Sequence, residues 1–291
     1  MQLNLEIPGS EFLRKTEAQS IYTDVIATIA TSAAKITPPV LEKLLLDRYG
    51  LNKKQIKTVI RDLVFSGELT YTYEFGCTFL ERSLNKPVRI SRHVVLIPPD
   101  HSYRSKPNDV VVQLTPGASF GAGNHPTTRL AIKAIEFVLL GYPAIEKKQE
   151  GTVLDIGTGS GVLILTAVLG GMDGGLGIDI EPCARVEAAV NVKNNGLEDR
   201  ITISGQTLDT IDQRYRMVLA NLRYPSLKRL YARLAEVTAG MGTLILSGIK
   251  NDEVDDLLGI YAKSRFKYLW SDHELGWAGV VLQKMVPTQK G

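Results

Sequence analysis

The chain has 291 residues, 44% of them hydrophobic, enough to bury a sizeable core spread over about two domains. A formal net charge of +3 is too mild to demand a nucleic-acid partner and does not exclude one. Cys77 and Cys183 stand far apart without metal-ligand spacing, so neither a disulfide framework nor a metal site is indicated. No apolar run reaches the ~18 residues of a membrane span, and residues 1–6 lack the basic flank and apolar stretch of a signal; the expectation is a soluble, cytoplasmic chain.

Residues 1–85 read as a separate N-terminal unit of helices followed by a hairpin. Pro38 and Pro39 open a helix over 40–49 that Gly50 closes. Asn52 is a good N-cap for the next helix, over 53–66, in which Ile56, Val59, Ile60, Leu63 and Val64 recur at helical spacing before Gly67 stops it. A strand over 69–73 turns at 74–76 and returns over 77–80. Helix, tight turn, helix and hairpin together resemble a winged helix-turn-helix over residues 20–85. Lys53, Lys54, Lys57 and Arg61 decorate its second helix. A solvated face is the plainer reading of these charges, and a phosphate footprint within residues 40–82 is the functional one.

Further on, Gly117, Gly121, Gly123, His125, Thr127 and Thr128 precede a helix expected over 128–140. That composition suits a loop folding over a ligand, with hydroxyls at the start of the helix turned toward it. His125 reads first as a local hydrogen-bonding or capping residue and only second as a base.

From Gly151 onward, apolar strands at 152–156, 176–180, 201–204, 217–220 and 243–246 alternate with helices such as 183–195 and 227–238. This alternation predicts an α/β fold with a doubly wound parallel sheet, to which 268–271 and 279–283 add two strands, the last of them antiparallel. The first strand runs into Gly157-Thr158-Gly159-Ser160-Gly161 and the second into Asp179. Glycines let the backbone approach a ligand, and an acid about 20 residues on accepts from both ribose hydroxyls, so the pair forms one side of an adenosine site. The third glycine of the dinucleotide fingerprint is Val162 here, and Asp155 would meet a pyrophosphate with a negative charge. S-adenosylmethionine, with a sulfonium, an ammonium and no phosphate, suits this acidic glycine turn. Asn221, at the end of the fourth strand, can hold an attacking amine in line with the sulfonium methyl; its plainer role is to form a turn.

The segments Phe120-Gly121-Ala122-Gly123-Asn124-His125-Pro126-Thr127-Thr128, Leu154-Asp155-Ile156-Gly157-Thr158-Gly159-Ser160-Gly161, Gly177-Ile178-Asp179-Ile180-Glu181-Pro182, Asn194-Asn195-Gly196 and Ala220-Asn221-Leu222 carry a family likeness. In that order they resemble the bacterial methyltransferases of ribosomal protein L-eleven, over roughly residues 86–285. The resemblance implies a Rossmann-like class I methyltransferase sheet in which Thr128, Gly157, Asp179 and Asn221 bind S-adenosylmethionine. It further implies that Phe120, Thr127, Gly159 and Leu222 line the site and that a lysine or α-amino nitrogen is methylated. Asp155 and Ile180 join the expected cofactor-binding set, and Asn221 is the candidate catalytic residue. Ala122, where the family has Thr, Arg223-Tyr224 after the Asn-Leu pair, and the N-terminal unit depart from the family pattern. The expected division is 1–85 and 86–291, with residues 116–128 covering the cofactor. Three readings stay open, in order: an N-methyltransferase of a ribosomal or other protein, a nucleic-acid methyltransferase docking through its N-terminal unit, and a non-catalytic cofactor sensor.

Overall fold

The computed structural model describes residues 15–32, 35–74, 76–83, 85–115, 123, 125–141 and 151–286. The chain divides into two compact units, Met1–Lys86 and Pro87–Gly291. In the first, helices α1 (Lys15–Thr31), α2 (Pro38–Tyr49) and α3 (Lys53–Phe65) lead into an antiparallel hairpin of β1 (Leu69–Glu74) and β2 (Cys77–Arg82). Ile36, between α1 and α2, bridges to Leu80 of β2. Local chemistry sets the boundaries. Proline occupies the first turn of α2, and Gly50, at φ +64°, ends it by donating its N–H to the Leu46 carbonyl. The Asn52 side chain accepts from the amides of Lys54 and Gln55 while the Gln55 side chain accepts the Asn52 amide, a reciprocal cap that fixes where α3 begins. Leu41, Leu45, Ile56, Val59, Ile60, Leu63, Leu69 and Leu80 are buried together with Val25 of α1. Asp62 is buried among them, and it is compensated: the Tyr22 hydroxyl donates to it at 3.1 Å and the Arg61 guanidinium pairs with its other oxygen.

The second unit is built on a seven-stranded sheet. In chain order its elements are β3 (Val88–Arg89), β4 (Val94–Ile97), β5 (Val110–Gln113), α4 (Pro126–Glu136), β6 (Thr152–Ile156), α5 (Val162–Leu169), β7 (Gly174–Ile178), α6 (Pro182–Asn194), β8 (Ile201–Ser204), β9 (Tyr215–Asn221), α7 (Tyr224–Val237), β10 (Thr238–Lys250), α8 (Val254–Ala262), β11 (Phe266–Glu274) and β12 (Trp277–Lys284). The large sheet runs β8-β7-β6-β9-β10-β12-β11, parallel from β8 to β10, with β12 antiparallel to both of its neighbours. The doubly wound reading and the antiparallel last strand are both met. Strand order reverses between β6 and β9, which opens a crevice at their carboxyl ends, the place where such sheets bind ligands.

Period-two alternation divides the core between two faces. Val153, Met217, Leu219 and Ile245 pack under α4 and α5, while Leu154, Val218, Ala220 and Leu246 pack against α7 and α8. By the same alternation Asp155, Asn221 and Ser247 belong to the α4–α5 face. Two features go beyond the sequence reading. The strands β3, β4 and β5 form a separate three-stranded sheet, and the strand expected over 176–180 is shifted to 174–178, so that Asp179 and Ile180 lie just beyond it. The shift has a local cause: the Asp179 carboxylate accepts the Glu181 amide at 3.0 Å, and Pro182 starts α6 immediately afterwards.

Candidate active site

The glycine turn after β6 is held by its own backbone. The amides of Gly157 and Thr158 both donate to the Ile178 carbonyl, at 2.9 and 3.0 Å, tying the turn to the end of β7. Gly157, Gly159 and Gly161 have φ of +69°, +55° and +81°, a left-handed run that side chains resist, before α5 begins. The Gly159 amide donates to Asp179 Oδ2 at 2.9 Å. With the Glu181 amide on Oδ1, two of the roughly four lone-pair positions of this carboxylate are engaged, and the others suit a pair of neighbouring hydroxyls. Arg185 fastens the turn from behind by donating to the carbonyls of Asp179 and Ile180, each at 2.9 Å. Ile180 itself is 72% exposed, an apolar side chain standing uncovered beside the acid.

Asp155 lies beneath the turn, 1% exposed. The Thr158 hydroxyl donates to its Oδ2 at 2.7 Å, while Oδ1 has no hydrogen-bond partner among the described residues. Burial pushes its pKa up to about 7, with the Thr158 bond and the nearby Ile164 amide opposing the rise and the Asp179 charge adding to it. The residue that the sequence presents as an acid facing the cofactor is thus a carboxyl held under the glycine turn, carrying one unpartnered oxygen.

Opposite the turn, His125 caps α4: its Nδ1 accepts the Thr127 amide at 3.3 Å and lies 2.8 Å from the Thr127 hydroxyl, while its ring meets Trp277 edge-on at 5.4 Å. The capping reading of His125 therefore matches the geometry. Thr127 and Thr128 are both buried, and Thr128 Oγ1 has no hydrogen-bond partner among the described residues. Phe120, Ala122 and Asn124 lie outside the described residues. Gly123 is described, and a Cβ there would come within 2.4 Å of Leu96 Cδ1.

Asn221 ends β9 directly opposite Ser247 of β10, and among the described residues its half-buried amide has no hydrogen-bond partner. Leu222 then crosses the crevice: its amide donates to the Ser247 carbonyl at 3.1 Å, and its side chain lies so near the glycine turn that a Cβ on Gly157 would meet Cδ2 at 2.8 Å. Buried polar atoms without partners are uncommon in folded proteins. Thr128 Oγ1, at the start of α4, and Asp155 Oδ1, under the glycine turn, are two such atoms; Thr128, Asp179, Asn221 and the Gly159 amide offer the donor and acceptor set that a ribose, an ammonium and an amine nucleophile require.

Three residues of the site escaped the sequence reading. The buried Ser247 hydroxyl donates to the Thr127 carbonyl at 2.9 Å and so fixes α4 against the sheet. Gly248, at φ +86°, forms a bulge in β10 that admits the Leu222 carbonyl; a Cβ there would lie 2.3 Å from that oxygen. An isolated glycine within a strand is the one signal that pointed to it. The fully buried Asn191 of α6 donates to the Ser160 carbonyl and accepts the Thr115 amide, each at 2.9 Å, and nothing in its helical pattern announces this.

A family model described as ribosomal protein L11 methyltransferase (PrmA) matches residues 81–285. The chain belongs to that family. It is 36% identical over 199 residues to the ribosomal protein L11 methyltransferase of Geobacter sp. (strain M21), covering 68% of this chain and 64% of that one. It is 37% identical over 195 residues to the corresponding protein of Geobacter sulfurreducens, covering 67% and 62%. The chain therefore spans less than two thirds of the length of the curated relatives it matches. Among solved structures, the ribosomal protein L11 methylase of Lactobacillus delbrueckii subsp. bulgaricus superposes with a TM-score of 0.61 at 27% identity, covering 69% of this chain and 100% of that one. The PrmA match takes in the whole glycine turn, Asp179, Asn221 and the start of α4, and leaves α1, α2, α3 and β1 outside it.

Proposed function

We propose that this chain is an S-adenosylmethionine-dependent N-methyltransferase acting in the cytoplasm on a lysine or α-amino nitrogen of a ribosomal protein. The observation that carries the reading is the convergence, at the carboxyl ends of β6, β7 and β9, of the left-handed glycine turn, the half-engaged Asp179 carboxylate and the Asn221 amide, which has no hydrogen-bond partner among the described residues. S-adenosylmethionine, when bound, supplies an electrophilic methyl on its sulfonium. Asp179 holds the ribose hydroxyls, Ile180 covers one face of the adenine, and Gly157 and Gly159 let the backbone approach without side chains intervening. Thr127, Thr128 and Leu222 complete the lining, to which the family resemblance adds Phe120, and Asp155 supports the turn from below. Asn221 is the catalytic residue, its amide oxygen holding the attacking nitrogen. An amine with an ordinary pKa of about 10.4 must lose a proton before its lone pair can attack, and a dry crevice lowers that pKa. The proton leaves to solvent before attack, and as the nitrogen–carbon bond forms and the carbon–sulfur bond breaks the positive charge passes to the methylated nitrogen, so orientation of the lone pair carries the rate.

The test is transfer of labelled methyl from S-adenosylmethionine into a ribosomal-protein fraction, followed by protease or nuclease digestion. Label released by protease as methylated lysine or methylated amino terminus supports the proposal. Label released by nuclease would make the chain a nucleic-acid methyltransferase. Contact with nucleic acid through residues 40–82 would involve the N-terminal unit alone and does not bear on which nitrogen is methylated.

A further inference from the structure

The face of α3 turned away from its core carries Lys53, Lys57, Arg61 and Phe65, one residue every four, all exposed. At 1.5 Å per residue these side chains recur about every 6 Å along one side of the helix, inside an arc of roughly 120°. Arg61 is aimed by its pair with the buried Asp62 at 3.1 Å and keeps a side chain 66% exposed. Phe65 is 82% exposed. The adjoining strand adds two more aromatic rings: Tyr71 and Tyr73, two apart and hence on one face of β1, are 51% and 75% exposed. Solvated lysines alone would be an ordinary surface, but three large aromatic side chains left in water within the same small unit are not explained by solubility. Rows of cations track a phosphate backbone, while exposed rings stack on unpaired bases. A duplex hides its base faces and would engage only the charges.

From this we infer that the N-terminal unit binds single-stranded RNA, with Lys53, Lys57 and Arg61 on its phosphates and Phe65, Tyr71 and Tyr73 against its bases. The preference for RNA over single-stranded DNA rests on the proposed ribosomal substrate, whose surroundings are RNA; the single-strand assignment does not depend on it.

The experiment is fluorescence anisotropy of the full chain with a labelled mixed-sequence RNA 12-mer, its DNA counterpart, and the DNA duplex, across a salt series. Three phosphate contacts predict a slope of log affinity against log salt of about −2 for the single strand. Lys53→Gln with Lys57→Gln should bring it to about −0.7, and Tyr73→Ala should weaken binding about tenfold at fixed salt. Tyr73 and both lysines are exposed, so the variants should fold, and methyl transfer to the isolated protein substrate should keep its wild-type rate. Absence of binding, or variants that bind as the wild type does, overturns the inference, and a preference for duplex overturns the single-strand assignment. Tighter binding of the DNA 12-mer overturns the choice of RNA. Salt-dependent RNA binding by a chain that transfers no methyl supports the inference and sinks the methyltransferase reading instead.

Discussion

Replacing Asp155 by Asn tests whether the carboxyl under the glycine turn is held neutral by burial. In the folded chain its pKa is pushed up to about 7, against 3.8 for an ordinary aspartate. Below the ordinary value the group is protonated whether folded or not, and its full contribution to stability is present. As pH rises, the unfolded chain ionises first and the folded chain holds its proton, so stability falls progressively until the pH passes about 7, where the loss is complete. About three units at 1.36 kcal/mol each give a total loss on the order of 4 kcal/mol. The amide introduced by Asp155→Asn keeps an acceptor for the Thr158 hydroxyl and cannot ionise, so this loss should be missing from the variant. The assay is urea unfolding of both proteins without cofactor at intervals from pH 4 to 8.5. The stability of the variant minus that of the wild type should climb between about pH 4 and 7 and then level off, the shared titrations of other groups cancelling. A difference that stays flat over that range would refute the argument that burial dominates at this site and would mean that Thr158 and the Ile164 amide hold the carboxylate ionised.

Asp179→Ala removes the acceptor of the Gly159 amide and the proposed ribose ligand together; calorimetry should show cofactor affinity down by about 1.5–3 kcal/mol, and unchanged affinity would remove Asp179 from the site. Asn221→Ala should lower kcat well beyond its effect on cofactor Kd, and equal losses in both would recast the residue as a cofactor ligand. Ser247→Ala removes the hydroxyl that ties the Thr127 carbonyl to the sheet and should cost about 0.5–1.5 kcal/mol of stability in urea melts, with cofactor affinity falling as α4 loosens. Gly248→Ala meets both a positive φ and the Leu222 carbonyl, and should depress Tm more than any exposed glycine change such as Gly259→Ala, where nothing lies within 4 Å of the added Cβ.

What the sequence disclosed was the local chemistry. Pro38, Gly50 and Asn52 mark helix limits because each acts on backbone within a few residues, and the strands of the large sheet show through because burial on both faces makes them continuously apolar. The glycine turn and Asp179 were legible for the same reason, since a close backbone approach leaves glycines behind. The small sheet was not, because strands of two and four residues exist only through pairing with distant partners, helped by the Arg89–Asp109 ion pair across 20 residues. Ser247 holds Thr127 from 120 residues away, beyond the reach of any periodicity. The burial of Asp155 was implicit in strand alternation, since it shares a face with Val153, but only the helix packed above shows how completely that face is closed.

The asparagines of α6 have a practical consequence for anyone shortening this chain. Asn191 joins the Ser160 carbonyl in the glycine turn to the Thr115 amide, and Asn195, just past the helix, both donates to the Gln113 carbonyl and accepts its amide. The segment that follows Pro87 is therefore stitched into the floor of the crevice, ahead of the alternating strands and helices that begin at Gly151. A fragment cut at Gly151 would strand these amides inside an opened core, whereas one cut at Pro87 keeps every stitch and is the smallest piece worth expressing.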